Sequence, residues 1–283
     1  PRAGNRHAVF FAHPSEAIAH DYERVPDDPR VPHTLTLEVD EFGNVLKSAA
    51  VGYGRRRPDP ALSVADQARQ TQTLVTYTES RFTHAIDGDD ARRAPLPADT
   101  RTYELSGYAP TGAAGRFRSD DFVQLDAAHP PRLAHIFAGE IAYEDTSNAN
   151  RQRRLIEHVR TLYRRDDLTA LLPLGELGSL ALPGESYRLA FTPGLLTAVF
   201  QRDGEPLLPN LGDVLGSRGP DGGGYVSSEA LRSQALLPAN NADPLWTRSD
   251  ADGHWWIPSG RVFLSPTPDE PAGQELAYAR QHF

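Results

Sequence analysis

The stretch HTLTLEVDEFGNVLKSAAVGYGRR, His33 to Arg56, decides the fold. Leu35, Leu37 and Val39 alternate with Thr34, Thr36, Glu38 and Asp40, which is the period-two pattern of a strand with one buried face. Gly43 and Asn44 supply the turn, since either can take left-handed backbone, and Val45 to Tyr53 resumes an extended segment rich in Val, Ala and Ser. A hairpin written this way is scaffold, not chemistry.

Outward from it, the first half reads as short strands at close spacing: His7 to Ala12, Ala19 to Arg24, Thr71 to Glu79, Thr100 to Tyr108 and Leu133 to Tyr143, with Pro, Gly or Asp clusters between them. Helices are predicted at Val64 to Gln70, for a turn or two after Ser119, at Pro193 to Gln201 with Thr192 as N-cap, at Ser228 to Leu236 and at Ala272 to His282. Arg153 to Arg164 fits a helix with one greasy stripe or a strand with mixed faces; Val159, Thr161 and Tyr163 favour the strand. Gly216 to Gly224 reads as a flexible loop, and a possible sub-boundary falls near 145–150. The expected fold is mainly β, an antiparallel hairpin meander with a few short helices, and no fixed short repeat marks a propeller or solenoid.

With 283 residues and 39% hydrophobic side chains the chain can fill a core, and a net charge of -9 disfavours nucleic acid as a partner. No cysteine occurs, which rules out disulfides and thiolate chemistry. No run nears the roughly 18 apolar residues of a membrane helix, so direct membrane insertion is not expected. The chain opens on Pro1 and contains no methionine, which suggests an internal piece of a longer polypeptide. Lys47 is the sole lysine among 29 basic residues; Arg-favouring codons explain this more simply than avoidance of lysine-directed tagging.

Each constellation that could carry chemistry has a plainer reading. His7, His13 and His20 lie in a row without the spacing of a zinc site, so no metal is expected. Asp87-Gly88-Asp89-Asp90 and Asp250-Ala251-Asp252-Gly253 open like calcium loops but lack the third acid and the closing Glu, and read as turns. Gly184-Glu185-Ser186-Tyr187-Arg188 lacks the last glycine of a nucleophile elbow. Glu38, Asp40 and Glu41 could pair carboxylates but sit on the polar side of the hairpin. The glycine run ending at Gly224 has no phosphate-cradle context, so no nucleotide or other cofactor is expected. Arg55-Arg56-Arg57 and Arg151, Arg153 and Arg154 read as salt-bridge partners. Trp255 and Trp256 point to opposite faces of one strand, which Pro258 and Gly260 are expected to end; a sugar platform there is the main rival to packing.

The blocks HP-x5-HDYERVPDDPRVPHTLTLEVDEFGNVLKSAAVGYGRR from His13, TLVTYTE, PLPADTRTYELSGY, RRLIEHVRTLYRRDDLTALLPLGELGSLALPGESYRLAFTPGLL, GGGYV and WWIPSGRVFLSP resemble, in that order, the middle-to-C-terminal region of the insecticidal toxin complex B component. This is the TcdB/TcaC type, whose N-terminal part is shared with SpvB. The resemblance covers about Phe10 to Phe283, and Asp40-Glu41-Phe42-Gly43-Asn44 matches the punctuation of RHS/YD-type hairpins. It implies that residues 1–283 form part of a large curled sheet that winds with an RHS-type C component into a hollow shell. That shell would enclose a cytotoxic domain, which leaves through an A-component channel docked by other parts of the parent chain. A secreted toxin assembly is implied, with no enzymatic role and no catalytic, cofactor or metal residues in this segment. Ser227 to Pro244 is longer than the family pattern suggests, room for an extra surface helix, and no convincing set of ADP-ribosylation elements is present. The alternative from another class is a carbohydrate-active or carbohydrate-binding β protein with a carboxylate pair beside Trp255 or Trp256.

Overall fold

The computed structural model describes residues 12–125, 133–135, 139–207, 211–216, 223–237, 253–268 and 270–282. The expected strand His7 to Ala12 lies almost wholly outside them, as do Asp250 to Asp252 and residues 238–244.

The main sheet has ten strands. In chain order they are β1 (Glu16–Ile18), β2 (Pro32–Val39), β3 (Val45–Gly52), β4 (Leu74–Phe82), β5 (Pro97–Ser106), β6 (Gly139–Ile141), β7 (Gln152–Tyr163), β8 (Pro183–Phe191), β9 (Val226–Ser227) and β10 (Trp255–Arg261). The spatial order is β1-β2-β3-β4-β5-β7-β8-β10-β9, with β6 also paired to β7. The mainly antiparallel β expectation is borne out. The helices are α1 (Val64–Thr71), α2 (Pro193–Val199), α3 (Leu211–Gly216), α4 (Ser228–Ser233) and α5 (Ala272–His282).

The chain divides into two units. Unit 1 holds residues up to Glu79 with Glu104–Glu140 and Ser147–Arg153, and unit 2 holds Ser80–Tyr103, Ile141–Thr146 and the rest.

Unit 1 is built on the hairpin. His33, Leu35 and Leu37 of β2 are buried while Thr34 is exposed, so the alternation read from sequence holds, with a histidine as its first inward residue. Leu35 lies opposite Ala49 and Ala49 opposite Tyr77; His33 lies opposite Val51 and Val51 opposite Val75, so two inward rows cross three strands. The turn is tied by Asp40, whose Oδ1 accepts the N–H of Phe42 at 2.9 Å and of Asn44 at 2.8 Å. Gly43, not Asn44, takes the left-handed backbone, at φ 87°. An Asx-type turn of this kind presets the register of both strands.

In unit 2, β7 to β10 cover a core of Ala98, Leu162, Leu174, Tyr187, Leu231, Leu236, Leu237 and Trp256. Caps are set locally: Thr192 Oγ1 accepts the Leu195 N–H before α2, and Ser227 Oγ accepts the Ala230 N–H before α4.

Several expectations need correction. Ala19 to Arg24 is not a strand: β1 ends at Ile18, Glu23 and Arg24 take φ of 45° and 66°, and one isolated bridge, Asp21 with Arg30, remains. Within Leu133 to Tyr143, Leu133–His135 and Gly139–Ile141 are strand, and residues 136–138 lie outside the described residues. Pro258 and Gly260 do not end β10, which runs to Arg261. A register shift between Ser186 and Tyr187 takes up the irregularity there, as bulges do around proline. Helix α3 and strand β8 are not foreseen by the sequence reading.

Candidate functional site

The most chemically loaded place in unit 2 is a buried ionic cluster on the inward face of β5 and β7. Asp99 and Arg101 alternate onto one face of β5, and His158 and Arg160 onto one face of β7. Asp99 is 2% exposed, His158 3% and Arg160 3%. Asp99 Oδ1 accepts from Arg101 Nε at 3.1 Å, and Oδ2 accepts from Arg160 Nε at 3.1 Å and His158 Nε2 at 2.7 Å. Since the His158 Nε2–H points at the carboxylate, the 3.3 Å approach of Arg101 Nε to the same nitrogen is a contact and not a second hydrogen bond.

Trp256 caps this cluster. The Arg160 guanidinium lies 4.2 Å from the ring centroid of Trp256, His158 meets the same ring edge-on at 4.8 Å, and the indole Nε1 donates to Ser228 Oγ at 2.9 Å. Burial alone would raise the Asp99 carboxyl, but His158, Arg101 and Arg160 outweigh it and hold it well below the usual carboxylate range. Burial, reinforced by the two arginines and opposed by Asp99, pushes the His158 imidazole down to about 4. One ionised Asp therefore holds a neutral His and two guanidiniums as its donors. Both Asp99 oxygens are engaged, by three donors in all, which makes the cluster a clamp between strands.

Unit 1 carries a second relay. His33 Nε2 lies 3.0 Å from Glu16 Oε1, its Nδ1 lies 2.9 Å from the Tyr53 hydroxyl, and that hydroxyl accepts the Phe117 N–H at 2.9 Å. Carboxylate, imidazole and hydroxyl follow one another as in a general-base relay, but His33 Nε2 makes no hydrogen bond and its approach to Glu16 is a contact only. Burial raises the Tyr53 phenol, and the Phe117 amide already occupies its oxygen, so the chain of bonds ties β2 to residues 53 and 117. The cleft of about 510 Å³ in this unit is lined by residues such as Leu74, Leu105, Tyr108 and Phe117, and takes in neither His33 nor Tyr53.

The residues singled out in the sequence do not converge. Asp40 is spent on its turn, while Glu38 pairs with Lys47 across the hairpin. Asp87 pairs with Arg92 Nη2 at 2.7 Å in a two-residue ribbon closed by Gly88. Glu185-Ser186-Tyr187 lies inside β8 instead of on a strand-to-helix turn, with Glu185 3.2 Å from Arg261 and accepting from the Tyr187 hydroxyl. His13 is exposed and His20 stacks on Tyr22; among the described residues no group of three potential ligands could hold a metal ion. The arginine run clamps a loop: the N–H groups of Arg56 and Arg57 donate to the Asp28 carboxylate at 3.0 and 3.1 Å, and Arg55 donates to its carbonyl at 2.6 Å. Burial opposes ionisation of Asp28, yet these donors lower its pKa. Arg153 bridges Glu79 at 3.0 Å and Glu140 at 2.9 Å, and Arg151 lies over the Tyr108 ring.

Trp256 is 0% exposed and cannot serve as a sugar platform. Trp255 lies on the other side of the strand against α3, where a Cβ at Gly212 or Gly216 would stand 3.6 or 3.5 Å from its ring. Asp99, Arg101, His158 and Arg160 were missed by sequence reading. The signal was present in the alternation of β7, where every second residue from His158 to Leu162 faces inward.

The fold is a mainly antiparallel β-sheet, and its buried Asp99 is held by donors of its own unit. The family model described as insecticide toxin TcdB middle/C-terminal region matches residues 1–94, so the resemblance read from the blocks between His13 and Glu79 is borne out over the first third of the chain. No curated protein matches the chain. Among solved structures, a chain of the Photorhabdus luminescens Tc holotoxin pore is similar over 87% of this chain and 10% of its own length, at 18% identity and a TM-score of 0.49. This chain thus spans about a tenth of that neighbour's length. No helix among the described residues is long and apolar enough to cross a membrane.

Proposed function

We propose that this chain is a structural segment of a secreted toxin-complex B component. With an RHS-type C component the parent chain forms a hollow shell around a cytotoxic domain, and an A-component channel then receives that domain. The observation that carries the reading is the family match over residues 1–94. The closed character of the ionic clusters supports a walling role, because every carboxylate of the Asp99, Asp28 and Asp40 sites is consumed by donors from its own unit. In this reading the segment contributes no catalytic residue, metal or cofactor, binds no nucleic acid and does not itself enter a membrane.

Co-expression of the full-length parent with its RHS-type partner, followed by size exclusion and electron microscopy, tests the proposal. A closed particle containing both chains is expected. Separate elution of the two chains with no enclosed density would overturn it.

A further inference from the structure

Helix α5 (Ala272–His282) is held to unit 2 in an unusual manner. Only Glu275 of this helix is buried, at 4% exposure, and none of its residues belongs to the apolar core cluster among the described residues. Its one ring packs on its own last turn: Tyr278 stacks on His282 at 4.0 Å, and His282 Nδ1 lies 2.9 Å from the Tyr278 carbonyl. Leu276, Tyr278 and Ala279 are only half-buried, so the one fully buried side chain of the helix is a carboxylate. Glu275 Oε1 and Oε2 accept from Arg164 Nη1 at 2.8 Å and Nη2 at 2.9 Å, and Oε1 also takes the Leu264 N–H at 2.8 Å.

A bidentate pair of this kind is directional and strong while seated, yet it supplies none of the graded apolar contact that keeps a helix down after a small displacement. Its partner is also provided for when the helix leaves. Arg164 Nη2 donates to the Leu168 carbonyl at 2.8 Å, and Arg164 lines a cleft of about 340 Å³ together with Glu185, Gln234 and Arg261, where water can take over the vacated donors. The carboxylate likewise returns to solvent on an exposed helix. Opening thus avoids the stranded buried charge that makes a core ion pair hard to break.

The geometry points to α5 as a detachable strap, which leaves and re-seats as one piece with Glu275 and Arg164 as its catch, while the sheet beneath stays folded. Amide hydrogen exchange on the whole 283-residue chain, read by mass spectrometry, tests this in two ways. In the wild type, amides of residues 272–282 should exchange at least about tenfold faster than those of 152–163, at a rate insensitive to low urea, as local opening requires. In Glu275→Gln, a neutral isostere, exchange of 272–282 should rise by a further tenfold or so with 152–163 unchanged. Wild-type exchange of the helix in step with β7, unchanged protection in the variant, or loss of protection across both segments would each overturn the strap.

Discussion

Replacing His158 with glutamine removes the titrating member of the Asp99 cluster while keeping an N–H donor for Asp99 Oδ2. Burial holds the folded imidazole at about 4, against an ordinary value of 6.5. As pH falls, the unfolded chain takes up its proton first, so the contribution of His158 is fully present above about 6.5 and is lost on the way down to 4. At 1.36 kcal/mol per pKa unit, the wild type should lose about 2–3 kcal/mol through this one residue between pH 7.5 and 4.5. The lowered carboxylates Asp28, Asp99, Asp166, Glu229 and Glu275 lose their contributions as pH falls from about 4.5 downwards, at and below the lower edge of this window, and do so alike in wild type and variant. Urea unfolding followed by tryptophan fluorescence is the assay, because the Trp256 ring lies 4.8 Å from the imidazole. His158→Gln should be the less stable protein at pH 7.5, having lost ring packing on Trp256, and the gap to wild type should narrow by about 2–3 kcal/mol at pH 4.5. A gap that stays constant across that range would refute the assignment of a neutral, strongly perturbed His158.

Other perturbations follow from the same contacts. Asp99→Asn leaves Arg101 and Arg160 buried without their counter-charge and should cost about 3–5 kcal/mol in urea unfolding, whereas a loss under 1 kcal/mol would mean that the cluster is open to water. Tyr53→Phe strands the Phe117 N–H and the His33 ring nitrogen, so about 1–3 kcal/mol should be lost from unit 1, read by urea unfolding followed by far-UV circular dichroism. Gly107→Ala forces a Cβ to 2.0 Å from the Asn150 carbonyl oxygen at a φ of +74°, and thermal unfolding should show a melting temperature several degrees lower. Ser63→Ala removes the cap that accepts the Asp66 N–H at 3.2 Å, costing about 1 kcal/mol, seen as faster amide exchange confined to residues 64–71.

Much of the scaffold was legible because its polarity follows the pleat. In β2 the apolar residues Leu35 and Leu37 face inward, and Asp40 with Gly43 marks the turn in plain residue types. Where the pattern inverts, the reading weakens. In β7 the residues facing the core include His158 and Arg160, so a charge count assigns them to the wet side; only their three-dimensional meeting with Asp99, some sixty positions earlier, neutralises them. The same holds for β10, whose Pro258 and Gly260 read as terminators but sit where the ladder to β8 shifts register. Helix α3 hides in a glycine-bearing stretch because Gly212 and Gly216 read as turn residues, although both lie within the helix beside Trp255. The relay from Glu16 through His33 to Tyr53 joins residues whose types signal nothing at their spacing.

A long sheet of alternating residues has a specific weakness, since a slip of one position turns every inward side chain outward. Apolar contacts alone penalise such a slip weakly where small residues such as Ala49 and Ala50 stand in a row. Charges placed within the sheet make the penalty large. Slipping β7 by one would carry Arg160 and His158 to the other face and leave the buried, ionised Asp99 with Arg101 alone of its three donors. In unit 1 the run Glu38, Lys47, Glu79, Arg153 and Glu140 sets alternate charges along neighbouring strands, with Lys47 opposite both Glu38 and Glu79. The sole lysine thus stands at a register position, where its compact charge meets acids on both sides. Buried or half-buried ions used in this way stabilise little in net terms, but they make the wrong pairings far worse than the right one. That difference is what a sheet of ten strands needs if they must meet in one order only.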